Sequence, residues 1–191
     1  TSEQSKRDKQ ADAAYQWWQS LGPIKLDDGR SLSGDRAALA RMRRCNSVND
    51  AIAEPPVGKL FNKLAFELPR GDGDVYRLGN VARVAALAVV LAHVKANDRR
   101  SIAIAIGAPS GGELSDALIK PNRFRTLMAA RTGDELMTSF RRVVALLSGT
   151  ANVKDLAKLM LSWTDDEAGD RARANFAFAY FGAADAAPDA G

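Results

Sequence analysis

The stretch Pro121–Leu147, PNRFRTLMAARTGDELMTSFRRVVALL, decides the fold class. Pro121 suits the first position of a helix, where its missing N–H costs nothing. Thr132 and Glu135 then have the three-residue spacing of a reciprocal helix cap. After them Leu136, Phe140, Val143, Val144 and Leu147 recur on one helical face. Two helices joined by a short break are the result, and the same signals repeat outward in both directions.

Toward the C-terminus, Asn152 caps a helix carrying Leu156, Leu159, Met160 and Trp163. Thr164 and Glu167 repeat the capping pattern before an aromatic-rich helix with Phe176 and Tyr180. The tail 183–191, AADAAPDAG, reads as disordered. Toward the N-terminus, Ser101–Ile106 (SIAIAI) alternates as a strand would, but has no partner strand and is read as a short helix or connector. The segment 75–96 is apolar nearly all round, the mark of a buried central helix, which Asp74 would cap after the turn PRGDGD. Val57, Leu60, Phe61, Leu64 and Leu68 define another helix, and Ser47 with Asp50 opens a short one closed by Pro55-Pro56. Ser33 is the expected cap of a helix running to Cys45, and 22–32 reads as a loop. Residues 5–21 place Ala11, Ala14, Tyr15, Trp18 and Leu21 on one stripe, leaving Trp17 off it. The expectation is an all-α bundle of about eight helices, one domain over 1–182 with lobes near 1–97 and 98–182.

The 191 residues are 46% hydrophobic and 26% charged, too apolar for an unfolded chain and ample for one core. One cysteine and one histidine leave no disulfide framework and no zinc cluster. The longest apolar run, Val84–Ala92, is less than half of the roughly 20 residues a spanning helix needs. The first ten residues are almost wholly polar. A cytoplasmic protein with no membrane partner is expected.

Catalysis finds little to work with. His93 lies late in the apolar helix with no nucleophile near it in sequence, so a core imidazole is favoured over a general base. Cys45 shares the apolar side of its helix with Ala38 and Met42 and reads as a small hydrophobe. Asp165, Asp166 and Glu167 fit a helix N-terminus better than a metal site. The glycines of GAPSGG have no phosphate-loop spacing. No catalytic residue, metal, cofactor or small-molecule substrate is expected.

Charge is more informative. The net charge is +4, yet residues 30–144 carry 19 Lys and Arg against 11 Asp and Glu, and arginine outnumbers lysine 18 to 9. In GDRAALARMRRC (34–45), at about 100° per residue, Arg36, Arg41, Arg43 and Arg44 share one side. Ala38, Leu39, Met42 and Cys45 take the other. Arg141 and Arg142 fall off the apolar stripe of their helix, adjacent and exposed, and Lys120, Arg123, Arg125 and Arg131 surround the preceding one. Arg131 also suits the C-terminal end of that helix, where a cation meets its dipole. Arginine grips phosphate in bidentate fashion, and no aromatic interleaves with these nine. The pattern predicts sequence-independent contact with nucleic-acid backbone.

Taken in order, YQWWQSL (15–21), GDRAALARMRRC (34–45), the apolar central helix, NRFRTLMAARTGDELMTSFRRVVALL (122–147), VKDLAKLMLSW (153–163) and RARANFAFAY (171–180) resemble CasB. That family supplies the small subunit of the type I-E CRISPR surveillance complex, Cascade. The likeness covers most of 11–182. It implies a non-enzymatic subunit that sits as a pair with other Cascade subunits, a guide RNA and target DNA, holding DNA backbone so that the R-loop stays open. Carried over by position, the nine arginines are its candidate contacts. The competing readings are a free-standing helical DNA-binding regulator, built on helices within 33–53, and an enzyme using His93 as base.

Overall fold

The computed structural model describes residues 2–22, 24–25, 31–32, 34–64, 74–109, 112–165 and 167–182. The order is α1 (Ser2–Leu21), β1 (Ile24–Lys25), β2 (Ser31–Leu32), α2 (Arg36–Arg44), α3 (Val48–Ile52), α4 (Pro55–Leu64) and α5 (Asp74–Ala92). Then come β3 (Ala96–Asn97), α6 (Ile102–Ile106), a 3₁₀ turn (Leu114–Asp116) and α7 (Pro121–Ala129). The chain continues through α8 (Gly133–Leu146), β4 (Thr150–Ala151), α9 (Val153–Ser162) and α10 (Glu167–Tyr180). The class is all-α: eight of the ten helices among the described residues have seven or more residues.

The core is organised by α5. Every side chain from Val84 to Ala92 is fully buried, as an all-round apolar helix requires. α8, α9, α3, α4 and α2 pack around it, α1 lies along α9 and α4, and α10 closes over α6 and α9. Local caps fix where the surrounding helices start. Ser47–Asp50 and Thr132–Glu135 both form reciprocal boxes, and the Asn152 side chain accepts from the Asp155 N–H. Pro121 is the first residue of α7.

Several expectations change. The cap of α2 is Asp35, whose carboxylate accepts from the Ala38 N–H at 2.8 Å; Ser33 lies outside the described residues. α4 begins at Pro55, earlier than the apolar spacing suggests; 65–73 lies outside the described residues, and Asp74, expected to cap α5, is its first residue. Within 22–32, β1 and β2 pair antiparallel, Ile24 against Leu32 and Lys25 against Ser31. The stripe of α1 is also rotated: Trp17 is buried and donates its Nε1–H to the Pro56 carbonyl at 2.9 Å. Trp18 is half-buried and donates to Val94 O at 3.1 Å. Ala11, Ala14, Trp17 and Leu21 thus form the inner face, and Tyr15 sits beside Trp18 at its margin.

SIAIAI is the short helix α6, capped by Ser101. The α5–α6 connection is instead tied to the α8–α9 connection by the parallel pair β3–β4. Gly149, at φ 83°, makes the turn there, and its carbonyl accepts the Lys95 N–H at 2.8 Å. α10 starts at Glu167 itself, so the expected Thr164–Glu167 cap does not open it; residues 166 and 183–191 lie outside the described residues. Asp165 is engaged by Arg83 in an ion pair. No described helix is long and apolar enough to cross a membrane.

Candidate nucleic-acid interface

α2 turns Ala38 and Met42 into the core and Leu39 and Cys45 against its edge, so its arginines must leave on the remaining arc. They do so in two ways. Arg36 and Arg44 are exposed and make no hydrogen bond or ion pair with described residues. Arg41 is exposed and paired with Glu54 at 2.9 Å. Arg43 is half-buried and donates its Nε–H to the Ala92 carbonyl, 2.7 Å away, at the last residue of α5. This corrects the picture of four equivalent solvent-facing arginines.

α8 shows the same division. Arg142 is exposed and unpaired among described residues, whereas Arg141 is half-buried and donates to the Cys45 carbonyl at 2.8 Å. The expectation that Arg141 is exposed beside Arg142 is therefore corrected. Both inner arginines meet carbonyls at helix C-terminal ends, where the dipole favours a cation. Through Arg141 the basic stretches of α2 and α8, separate in sequence, meet at one seam. A further tie strengthens it: the Asp134 carboxylate of α8 accepts the Val48 N–H of α3 at 2.6 Å.

On α7, Arg123 is exposed and unpaired among described residues, and Arg125 touches only the Asn122 side chain, at 2.9 Å. Arg131 donates to the Met128 and Ala130 carbonyls at 2.7 and 2.8 Å, the dipole-capping role its position suggests. Arg123 and Arg142 line one cavity of about 510 Å³ between α7 and α8.

His93 closes the inner junction. Its Nδ1 lies 2.8 Å from the Val89 carbonyl, which can only accept, so this nitrogen carries the proton. Burial holds the imidazole below its ordinary range, and Arg141 and Arg43 push it the same way. The half-buried imidazole is thus held to its own helix, within electrostatic reach of Arg141 and Arg43. Cys45 is buried and its thiol is raised by that burial, away from thiolate chemistry. Among the described residues no group of three His, Cys, Asp or Glu is placed to hold a metal.

Lys95 lies on none of the basic faces that the helical spacing picks out. Lys95 is exposed, unpaired among described residues, and lines the cleft that also contains Arg43 and Leu39. It follows the end of α5 and belongs to no periodic basic face, so nothing in the sequence marks it.

The regulator reading loses its structural basis. α3 has five residues, and its N-terminal amides are taken by Asp50 and Asp134, which leaves no recognition helix to present. The family model of CRISPR-associated protein Cse2 matches residues 38–181, from the middle of α2 to the end of α10. No curated protein and no solved structure matches the chain.

Proposed function

This chain belongs to the Cse2 family of CRISPR-associated proteins and is a Cascade small subunit, and from that premise we propose that it is a non-catalytic clamp for nucleic-acid backbone. In this reading it sits in the type I-E complex with the other subunits, the guide RNA, the target DNA and a second copy of itself. The outer arginines of α2, Arg36 and Arg44, hold DNA phosphates of the opened duplex. Strand exchange between DNA duplex and RNA–DNA heteroduplex is nearly balanced, so sequence-independent contacts to the opened state tip it forward.

The observation that carries the proposal is the division on α2. Arg36 and Arg44 remain exposed and unpaired among the described residues, on a helix that Arg43 and Arg141 anchor from beneath. A rigid base with free guanidinium groups suits phosphate binding, because little order has to be created on contact. Lys95 extends the free set, and Arg125 and Arg41 can join it by leaving Asn122 and Glu54. Arg43, Arg131 and Arg141 support the surface. α2 itself carries no aromatic side chain, and Trp18, which shares the cleft of Lys95 and Arg43, has its ring N–H committed to the Val94 carbonyl, which favours backbone over base contact on α2.

The test is a salt titration of DNA affinity with the Arg36→Ala/Arg44→Ala protein. Each lost phosphate contact should shallow the slope of log affinity against log salt by about 0.7 on single strands or about 0.9 on duplex. The loss should be alike for all sequences.

A further inference from the structure

We propose that the groove between α7 and α8 is a docking site for an acidic, amphipathic segment of another protein subunit. The inference rests on the reading that the chain works inside a multisubunit complex, but not on which residues hold DNA. The groove has a two-part chemistry. Ile119, Leu127, Val143 and Leu146 form an aliphatic floor, and Arg123 and Arg142 stand on its rim. Leu146 is 38% exposed, an unusual state for a leucine whose neighbours Val143 and Val144 are about 1% exposed. No carboxylate lines the groove among the described residues, so two positive charges sit unanswered beside apolar surface.

That combination selects against nucleic acid as the occupant. Phosphate backbone needs the cations but gains nothing from an aliphatic floor, and an unstacked base seeks a ring. The one ring of α7, Phe124, points inward and stacks on Tyr180 with centroids 3.7 Å apart. A peptide answers both features. A leucine-like side chain fills the floor while an adjacent Asp or Glu takes the planar guanidinium of Arg123 or Arg142 in bidentate fashion. Recognition of an amphipathic helix in a groove uses this arrangement of apolar anchors and flanking charges. About 510 Å³ accommodates such anchors.

The experiment places the photoreactive residue p-benzoylphenylalanine at Thr126, which is exposed on the groove wall, in the complex reconstituted with the neighbouring subunits. Irradiation should join the chain to a different protein subunit, at a segment with Asp or Glu beside Leu, Ile, Met or Phe. Arg123→Glu/Arg142→Glu should cut that yield by about tenfold or more with an unchanged melting temperature, since neither arginine has a partner among the described residues. Changing the partner's acids to lysine should restore it. A crosslink to nucleic acid, a crosslink to a second copy of this chain, or no crosslink from an incorporated protein overturns the proposal. If the bulky residue keeps a normally melting protein out of the complex, the charge reversal must also exclude it; unimpaired incorporation of the reversal overturns the proposal equally. Failure of the Arg36 and Arg44 salt titration would leave these outcomes untouched.

Discussion

The inner and outer arginines of α2 are the same residue type on one nine-residue helix, yet they do opposite things. Arg43 turns under the helix to the Ala92 carbonyl, and Arg141 reaches across from α8 to Cys45 O. Arg36 and Arg44 are exposed and make no hydrogen bond or ion pair with described residues. What separates Arg43 from Arg44 is a rotation of about 100°. A basic helix face is therefore not one functional unit: part of it secures the helix, and the rest is left to act.

The comparison is sharpest for stability. The Ala92 carbonyl belongs to a fully buried residue, and the next free amides, of Lys95 and Ala96, turn to Gly149 O instead. Arg43→Ala should strand that acceptor and lower the unfolding free energy by about 1.5–3 kcal/mol, read from urea midpoints. Arg141→Ala should cost about the same or slightly less, because the Cys45 carbonyl lies nearer the surface. Neither should change the salt slope of DNA binding by as much as one phosphate contact. If either substitution leaves the midpoint unmoved, the inner arginines are not anchors.

A smaller effect follows from His93. Its folded pKa is lowered by burial, with Arg141 and Arg43 acting in the same direction, so the unfolded chain binds its proton more readily. Its contribution to stability is fully present above the unfolded value, about 6.5, and is lost as pH falls below it toward the folded value. The urea midpoint of the wild type should drop between pH 7 and pH 5.5 by more than that of His93→Gln. Parallel profiles would remove His93 from the junction. Smallest of all, Arg41→Ala should leave the melting midpoint unresolved from wild type, because its pairing with Glu54 is solvent-exposed.

Sequence carried the features whose causes are local. The caps at Ser47, Thr132 and Asn152 bond to amides three residues on, and all three are in place. The buried run Val84–Ala92 announced the central helix by composition alone. Features with distant causes were not legible. Trp17 and Trp18 are equally apolar neighbours, and which one enters the core is settled by the Pro56 carbonyl, 39 residues away. The β1–β2 pair is two residues long, too short to show alternation. The partners of Arg43 and Arg141 lie 49 and 96 residues off. Amphipathic spacing therefore found the basic faces but could not divide them into anchors and free groups.

The central claim is that division, and one titration tests it directly. DNA affinity is measured between about 50 and 200 mM salt for complexes rebuilt with wild type, Arg36→Ala/Arg44→Ala, or Arg43→Ala, at a temperature where all three are folded. The account predicts a slope shallower by about 1.4 to 1.8 for the outer pair, equal on unrelated sequences, and a wild-type slope for Arg43→Ala. An unchanged slope for the outer pair, or an equal loss for Arg43→Ala, would contradict it.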